Sequence, residues 1–411
     1  MKICDRKLLD RRPIDEDLTY LPTVAGILAE VRERGDAALR DYTARFDHVT
    51  VDTFRISGFK AAYAEVPPDT VTALRRAAER VEQFHRRQPL TSWFTHDLGG
   101  TLGQMVSPLN RVGVYVPSGT APLPSSLLHC AIPARVAGVR QIVVATPPPP
   151  APIILVAADI AGVDELYQVG GAQAIAALAY GTESIRPVDK IVGPGNVYVM
   201  LAKKLVFGRV GIESLAGPTE TVVVADEAAN PEWVAADLLA QAEHDVLASA
   251  ILLTPSRPLA LAVQAAVARR IEALSRADII TQSFENRSGI VLTRDLDEAV
   301  TLADNYAPEH LCLAVRDPWA WAPRIHHAGG LFLGEQSFEV LGDYVAGPSH
   351  AMPTGGSARF SSPVNVLDFV HLTSLIALDP ETTRQLAPLA AHLANAEALT
   401  GHAAAALART G

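Results

Sequence analysis

Two adjacent side chains set the first chemical possibility in this chain. Tyr306-Ala-Pro-Glu-His310 puts a carboxylate beside an imidazole, at a junction where Pro308 stops a helix and an apolar strand starts at Leu311. A base of near-neutral pKa next to a carboxylate suits general acid–base work, although a solvated surface pair reads the same way. Leu239-Ala-Gln-Ala-Glu-His244 ends another helix, with Gln241 and His244 three apart and therefore on one face. An amide oxygen with an imidazole suits a borderline cation such as zinc, and the same pair is compatible with a plain helix end. Gly342-Asp343-Tyr344, followed by Pro348-Ser-His350 and Thr354-Gly-Gly356, reads as a loop from which Asp343 and His350 can reach a metal or a substrate. Glu397 and His402, five apart, stand on an Ala/Leu-rich terminal helix, where exposure alone would account for them.

A second group of segments could approach a nucleotide. Tyr115-Val-Pro-Ser-Gly-Thr120, Gly170-Gly-Ala-Gln173, Gly193-Pro-Gly-Asn196 and Ala216-Gly-Pro-Thr-Glu220 follow strand ends, the edge at which open parallel sheets bind ligands. No G-x-G-x-x-G occurs, so these glycines serve either phosphate approach or tight turns. Among the other histidines, His129 lies with Cys130 in an apolar helix and reads as a packing residue.

The elements that must position these groups follow from periodicity. Val24, Ile27 and Val31 form a helical stripe broken at Gly35, and the pattern up to about residue 110 is mainly helical. From Arg111 the rhythm changes to short Val/Ile runs alternating with helices. Strands are expected at 112–116, 141–145, 166–169, 190–192 and 221–225, and helices at 124–136, 151–160, 172–180 and 197–207. The alternation continues with a helix from Asn230-Pro231 to His244, a strand at 250–253, a helix at 259–274 and a strand at 289–292. Asp295 and Glu298 form a capping box for a helix to Tyr306, and strands at 311–315 and 330–333 complete a second α/β unit. After Ser362 the chain turns loop-rich and then helical, a tail too small to fold alone. The fold class is α/β, with parallel doubly wound sheets.

Composition narrows the function. The 411 residues exceed one ordinary core. A net charge of −10 argues against nucleic acid or an anionic membrane as the main partner. Cys4, Cys130 and Cys312 make no disulfide framework, and the N-terminus has no apolar signal run, so a reducing cytoplasm is the expected location.

Taken together, GVYVPSGTAPLPSS, VGGAQAIAALAYGTE, DKIVGPGN, AGPTETVVVAD, DLLAQAEHD, NYAPEHL, GDYVAGPSHAMPTGG and ARFSS resemble the histidinol dehydrogenases in order and spacing. The resemblance runs from 32–39 to the tail. It implies two doubly wound, Rossmann-like parallel-sheet domains plus a small helical C-terminal tail domain. The divisions it implies are an arm at 1–12, a first domain at 13–110 and 222–363, an NAD-binding second domain at 111–221, and a dimer-exchanged tail at 364–411. It implies one zinc per subunit on Gln241, His244, Asp343 and His402, and a catalytic pair of Glu309 and His310. Thr219, His350 and Glu397 would join the zinc ligands and His310 around the substrate, and Tyr115, Gln173 and Asn196 would contact NAD. The implied activity is the zinc- and NAD-dependent oxidation of L-histidinol via L-histidinaldehyde to L-histidine, the last step of histidine biosynthesis, in a cytoplasmic homodimer.

Three departures stand out: Thr219 replaces a common Ser, the connection after Thr146 is short and proline-rich, and His129-Cys130 replaces an apolar pair. The rivals are a paralogue oxidising another small polar alcohol, a zinc hydrolase (no H-E-x-x-H is present) and a non-catalytic binding protein. Within the dehydrogenase reading, a thiol route through Cys130 or Cys312 is the alternative to Glu309.

Overall fold

Runs such as Val-Val-Val-Ala and Ala-Ile-Leu-Leu are apolar at every position, which suits strands covered on both faces. The computed structural model describes residues 1–10, 18–118 and 122–409; Gly119 and Thr120 of the first glycine-bearing loop, and the expected boundary at 12–13, lie outside them. The chain divides into two compact units, 1–87 with 110–369 and 88–109 with 370–411.

The first unit opens with β1 (Ile3–Cys4), α1 (Leu21–Arg34), α2 (Asp36–Phe46), β2 (Arg55–Ile56) and α3 (Pro68–His85). β3 (Trp93–Thr95) and β4 (Thr101–Pro108) belong to the second unit. There follow β5 (Arg111–Tyr115), α4 (Pro124–Val136), β6 (Gln141–Thr146), α5 (Pro152–Ala161), β7 (Glu165–Gln168), α6 (Gly171–Tyr180), β8 (Lys190–Val192), α7 (Val197–Val206) and β9 (Gly211–Ile212). The next stretch holds β10 (Glu220–Ala225), α8 (Pro231–Ala242), β11 (Ser249–Thr254), α9 (Arg257–Ile271), α10 (Ala277–Asn286) and β12 (Gly289–Leu292). It ends with α11 (Leu296–Tyr306), β13 (His310–Ala314), α12 (Pro318–Trp321), β14 (Gly330–Leu333) and α13 (Glu339–Tyr344). The second unit closes the chain with β15 (Val370–Ala377), α14 (Pro380–Ala396) and α15 (Thr400–Leu407).

One six-stranded parallel sheet has the order β1-β12-β11-β10-β13-β14. Alternate residues of its strands feed two cores. Val223, Ala250 and Leu252 pack with α8 and α9 residues such as Leu238 and Val263, while Val222, Ile251 and Leu253 pack with Val300 and Ala303 of α11. The other six-stranded sheet has the order β2-β7-β6-β5-β8-β9, parallel except for the β2–β7 pair. Each sheet grows first one way and then the other, so crossover points fall between β10 and β13 and between β5 and β8. Among the described residues, no helix is long and apolar enough to cross a membrane.

Local chemistry sets the helix ends. Asn230 caps α8 by accepting from Glu232 N at 2.9 Å, with Pro231 in the first turn. Asp295 caps α11 through Glu298 N at 2.8 Å, but the Glu298 carboxylate reaches back to Arg294 N rather than to the cap itself.

Several expectations need correction. α1 and α2 do not join the first sheet: Val24, Ile27, Val31 and Leu39 share a core with Val143, Ile175 and Leu201, and β2 pairs with β7 of the second sheet. A helical stripe shows that a face is buried, not which sheet buries it. Residues 3–4 are an edge strand of the first sheet rather than part of a free arm. Asp343 sits in the short helix α13, not in a loop, and α8 stops at Ala242, two residues before His244. The tail is not purely helical, since β15 pairs antiparallel with β4, which in turn pairs with β3. These strands show little hydrophobic alternation because the side chains of β15 are largely exposed. The second unit buries little beyond Ala387, Ala391, Ala394 and Ala403, and leaves Leu372, Ile376, Leu389 and Leu393 open.

A buried ion pair holds the loop after β8. Lys203 Nζ lies 2.7 Å from Glu213 Oε1 and 3.1 Å from the Gly193 carbonyl, and Gly193 N donates to the same Glu213 oxygen at 2.8 Å. Lys203→Met would leave the Glu213 carboxylate buried and unpaired, so urea unfolding should show a loss of about 3–5 kcal/mol. A loss below about 1 kcal/mol would show that the pair is dispensable.

Candidate active site

The turn between α11 and β13 delivers the central pair. Ala307 adopts a left-handed conformation (φ 52°) and its N–H closes the helix on Ala303 O at 3.1 Å, after which Pro308 prevents continuation. Glu309 and His310 therefore arrive at the amino end of β13, alongside Thr221 of β10, its partner in register. Both are buried, at 8% and 2% exposure, which excludes the solvated surface pair.

Four other elements supply their surroundings. Thr219, just before β10, donates its hydroxyl to Glu309 Oε2 at 2.5 Å, and Glu220 N donates to the same oxygen at 3.2 Å. His310 Nδ1 is 3.7 Å from Glu309 Oε2, and His310 Nε2 is 3.6 Å from Asp343 Oδ1 of α13. At these distances neither is a hydrogen bond, and both ring nitrogens are buried without a partner. Gln241, in the last turn of α8, points Nε2 at Asp343 Oδ2 (3.4 Å), while its Oε1 is buried and unpartnered. His244 lies past the helix end with its N–H on the Gln241 carbonyl at 3.3 Å, exposed but close enough for its charge to act on Asp343. His350 donates from Nδ1 to the Asp343 carbonyl at 2.6 Å and turns Nε2 toward Ser126 Oγ of α4 at 3.2 Å.

Electrostatics in this dry volume are set by an excess of carboxylates. Burial pushes the Glu309 carboxyl up to about 7 against the pull of His310, Thr219 and the Glu220 N–H. Burial alone would lower the His310 pKa, but Glu309, Asp343 and Glu339 outweigh it and hold a proton on the ring, up to about 10. For Asp343, burial acts upward and is overcome by the neighbouring imidazoles, so its carboxylate stays below the usual range. Glu339, 1% exposed, accepts from Thr221 Oγ1 at 2.7 Å and from Cys312 Sγ at 2.9 Å, and burial raises it. Burial likewise drives the Cys130 and Cys312 thiols upward, the opposite of what an attacking thiolate needs.

Glu397, at the end of α14, and His402, in α15, are exposed on the second unit. Among the described residues, no group of three or more His, Cys, Asp or Glu is placed to hold a metal. The first unit brings together Gln241, His244 and Asp343, one of which is an amide. Sequence reasoning missed Glu339, and it read His129 as a packing residue, whereas its ring stacks on His350 at 4.4 Å. The signal available was a lone histidine in an otherwise apolar helix.

The three expected nucleotide residues converge on the carboxyl edge of the second sheet. Tyr115 ends β5, its hydroxyl accepting from Gly171 N at 3.0 Å and pushed up to about 12 by burial. Gln173 is buried in the first turn of α6, and Asn196 caps α7 by accepting from Tyr198 N and Val199 N at 3.1 and 3.2 Å. Gly193 passes so close to β5 (φ 117°) that a Cβ would lie 2.1 Å from the Tyr115 carbonyl oxygen.

Two doubly wound sheets with a buried Glu–His pair give this chain an α/β architecture, and its relatives are oxidoreductases. The solved structure of histidinol dehydrogenase from Elizabethkingia anophelis matches with a TM-score of 0.91 at 33% identity, covering 97% of this chain and 96% of that one. The family model described as Histidinol dehydrogenase matches residues 10–410, so the chain belongs to the histidinol dehydrogenase family. The histidinol dehydrogenase of Deinococcus radiodurans is 54% identical over 396 residues, covering 95% of this chain and 91% of the relative. That of Moorella thermoacetica is 53% identical over 391 residues, covering 93% and 92%.

Proposed function

We propose that this chain oxidises L-histidinol through L-histidinaldehyde to L-histidine, the closing reaction of histidine biosynthesis, with NAD as acceptor and one zinc ion per subunit. The observation that carries this reading is a set of buried, unpartnered polar atoms: the two nitrogens of His310, facing Glu309 and Asp343, and Oε1 of Gln241, whose Nε2 lies against Asp343. Buried polar groups without partners are costly, and a polar occupant would satisfy them.

The donor set fits zinc. Gln241 Oε1, His244 and Asp343 would hold it from this unit, and His402 would complete a mixed nitrogen and oxygen set. Zinc, when bound, supplies a Lewis-acid anchor for the substrate's imidazole and amine. For the nucleotide, Tyr115, Gln173 and Asn196 stand beside the crossover of the second sheet, and α6 has Gly170 at its N-cap with no side-chain hydrogen bond to its N-terminus. NAD, when bound, takes one hydride in each oxidation.

The residues of the chain move the protons. His310 takes the hydroxyl proton of the alcohol as its carbon gives up a hydride. Zinc, when bound, would add positive charge beside the ring and oppose the carboxylates that hold a proton on it, favouring the neutral form this role needs. Glu309 then takes a proton from the water that adds to the aldehyde. Thr219 and Glu220 N occupy Oε2, which leaves Oε1 for that proton, and the raised pKa suits a base near neutral pH. Two hydrides out and one water in convert a primary alcohol to a carboxylate. The full reading is a cytoplasmic homodimer whose exchanged tails bring Glu397 and His402 to the partner's site. The open leucines of the second unit, with only alanines buried beneath, support its docking on another chain.

Purified protein should form two NADH per histidinol consumed, lose that activity to a chelator and regain it with zinc; folded, zinc-loaded protein that forms none would overturn the substrate assignment. Glu309→Gln should slow histidinaldehyde oxidation about 100-fold or more while affecting the alcohol step less, and equal losses in both half-reactions would remove the water-activating role. Chains carrying His244→Ala and His402→Ala, each inactive alone, should recover about a quarter of wild-type activity when dissociated and reassociated together, since mixed dimers hold one intact site. No recovery in proven heterodimers would place both residues in one chain's site.

A further inference from the structure

His129 interrupts an apolar run. Its neighbours Leu127, Leu128, Cys130, Ala131 and Ile132 are buried, and His129 itself is 0% exposed. A buried imidazole is tolerated only where both nitrogens are used, and here each use falls on the segment that carries His350. The His350 backbone N–H lies 3.2 Å from His129 Nδ1 and can only donate, so Nδ1 is the acceptor and the ring proton sits on Nε2. That nitrogen faces the Tyr344 carbonyl at 3.4 Å. The His129 and His350 rings lie face to face, 4.4 Å apart and 5° from parallel. Ser349 Oγ donates to the His129 carbonyl at 2.9 Å, and Arg80 of α3 holds the middle of the segment through the Val345 and Ala346 carbonyls at 2.6 and 3.0 Å. One side chain thus grips both ends of residues 344–350, a stretch that turns through Gly347 at φ 123°.

The grip has a chemical consequence. With its backbone tied to His129 Nδ1 and its ring stacked, His350 can turn neither about its backbone nor out of plane. Its Nδ1–H is committed to the Asp343 carbonyl at 2.6 Å, so Nε2 carries the lone pair and accepts from Ser126 Oγ at 3.2 Å, a bond that a substrate donor would replace. We propose that His129 is a positioning residue that fixes the plane and tautomer of His350, so that His350 Nε2 accepts a hydrogen bond from a donor on the substrate, an ammonium or an imidazole N–H. This rests on the reading of His350 as a substrate-contacting residue. An apolar residue at 129 would fill the volume and leave the His350 N–H without its acceptor.

The test is steady-state kinetics on the zinc-loaded enzyme. His129→Met keeps an unbranched side chain of similar length without either nitrogen; it should raise the histidinol KM roughly tenfold, the scale of one lost positioning hydrogen bond, with kcat within about twofold and the KM for NAD unchanged. His129→Asn, which restores an acceptor toward the His350 N–H, should bring the KM back to within about threefold of wild type. If the Met variant does not fold, His129→Gln, which cannot place an acceptor at the Nδ1 position, takes its place with the same expected split. An unchanged histidinol KM, a parallel loss of kcat and NAD affinity, or an Asn variant no better than Met would overturn the inference. Wild-type enzyme that does not oxidise histidinol overturns the reading of the site as well, whereas an active wild type with indifferent variants overturns this inference alone.

Discussion

Burying His310 is the constraint on which the rest depends. An imidazole at 2% exposure with no hydrogen bond to either nitrogen is a costly thing to place inside a protein, and three carboxylates are gathered around it. They arrive from two places: Glu309 from the left-handed exit of α11, and Asp343 and Glu339 from the two ends of α13. Their mutual repulsion is contained by donors from β10, since Thr219 and Thr221 flank Glu220 and give their hydroxyls to Glu309 and Glu339 in turn. The site is thus an electrostatic arrangement spread over one sheet edge, and removing any single partner exposes the imbalance of the others.

That edge is the amino edge of the first sheet, whereas Tyr115, Gln173 and Asn196, proposed to face the nucleotide, lie at the carboxyl edge of the second. The chain itself joins them: it leaves β9 of the second sheet and, after residues 213–219, enters β10 of the first. Gly217 N, held on Thr354 Oγ1 at 2.5 Å, and Gly355 N, held on Glu220 Oε2 at 3.1 Å, tie this passage to the loop beyond His350. A parallel sheet has polarity, and two such sheets linked head to tail offer opposite ends to one connecting strip.

How much of this could be read from residues alone depended on whether the information was local. Pro124–Val136, Lys190–Val192, Gly289–Leu292 and Gly330–Leu333 match their expected bounds residue for residue, because proline starts and short apolar runs act within a few positions. β4 and β15 escaped because each finds its main partner across more than half the chain, and neither carries a sustained apolar alternation. α13 escaped because Gly342 and Asp343 are weak helix formers in a six-residue helix. Glu309 and His310 were legible as a pair at a helix–strand junction, but their burial, which decides what they can do, comes from β10 and α13. Gln241 and His244 were legible as a pair from their spacing, but that Asp343 joins them came only through the family resemblance.

The smallest strand of the first sheet has a consequence for how the molecule is made. Ile3 and Cys4 pair with Ile290 and Val291 at the sheet's edge. They are synthesised long before their partners, which follow 287 residues later (290 − 3). Closing so long a loop is slow and entropically costly, and such contacts form after local ones. The helices α1 and α2, whose own core lies with the second sheet, can settle there while β1 is still unpaired. Order of synthesis and order of assembly therefore run in opposite directions at this edge: a strand made long before its partner is placed only after that partner exists.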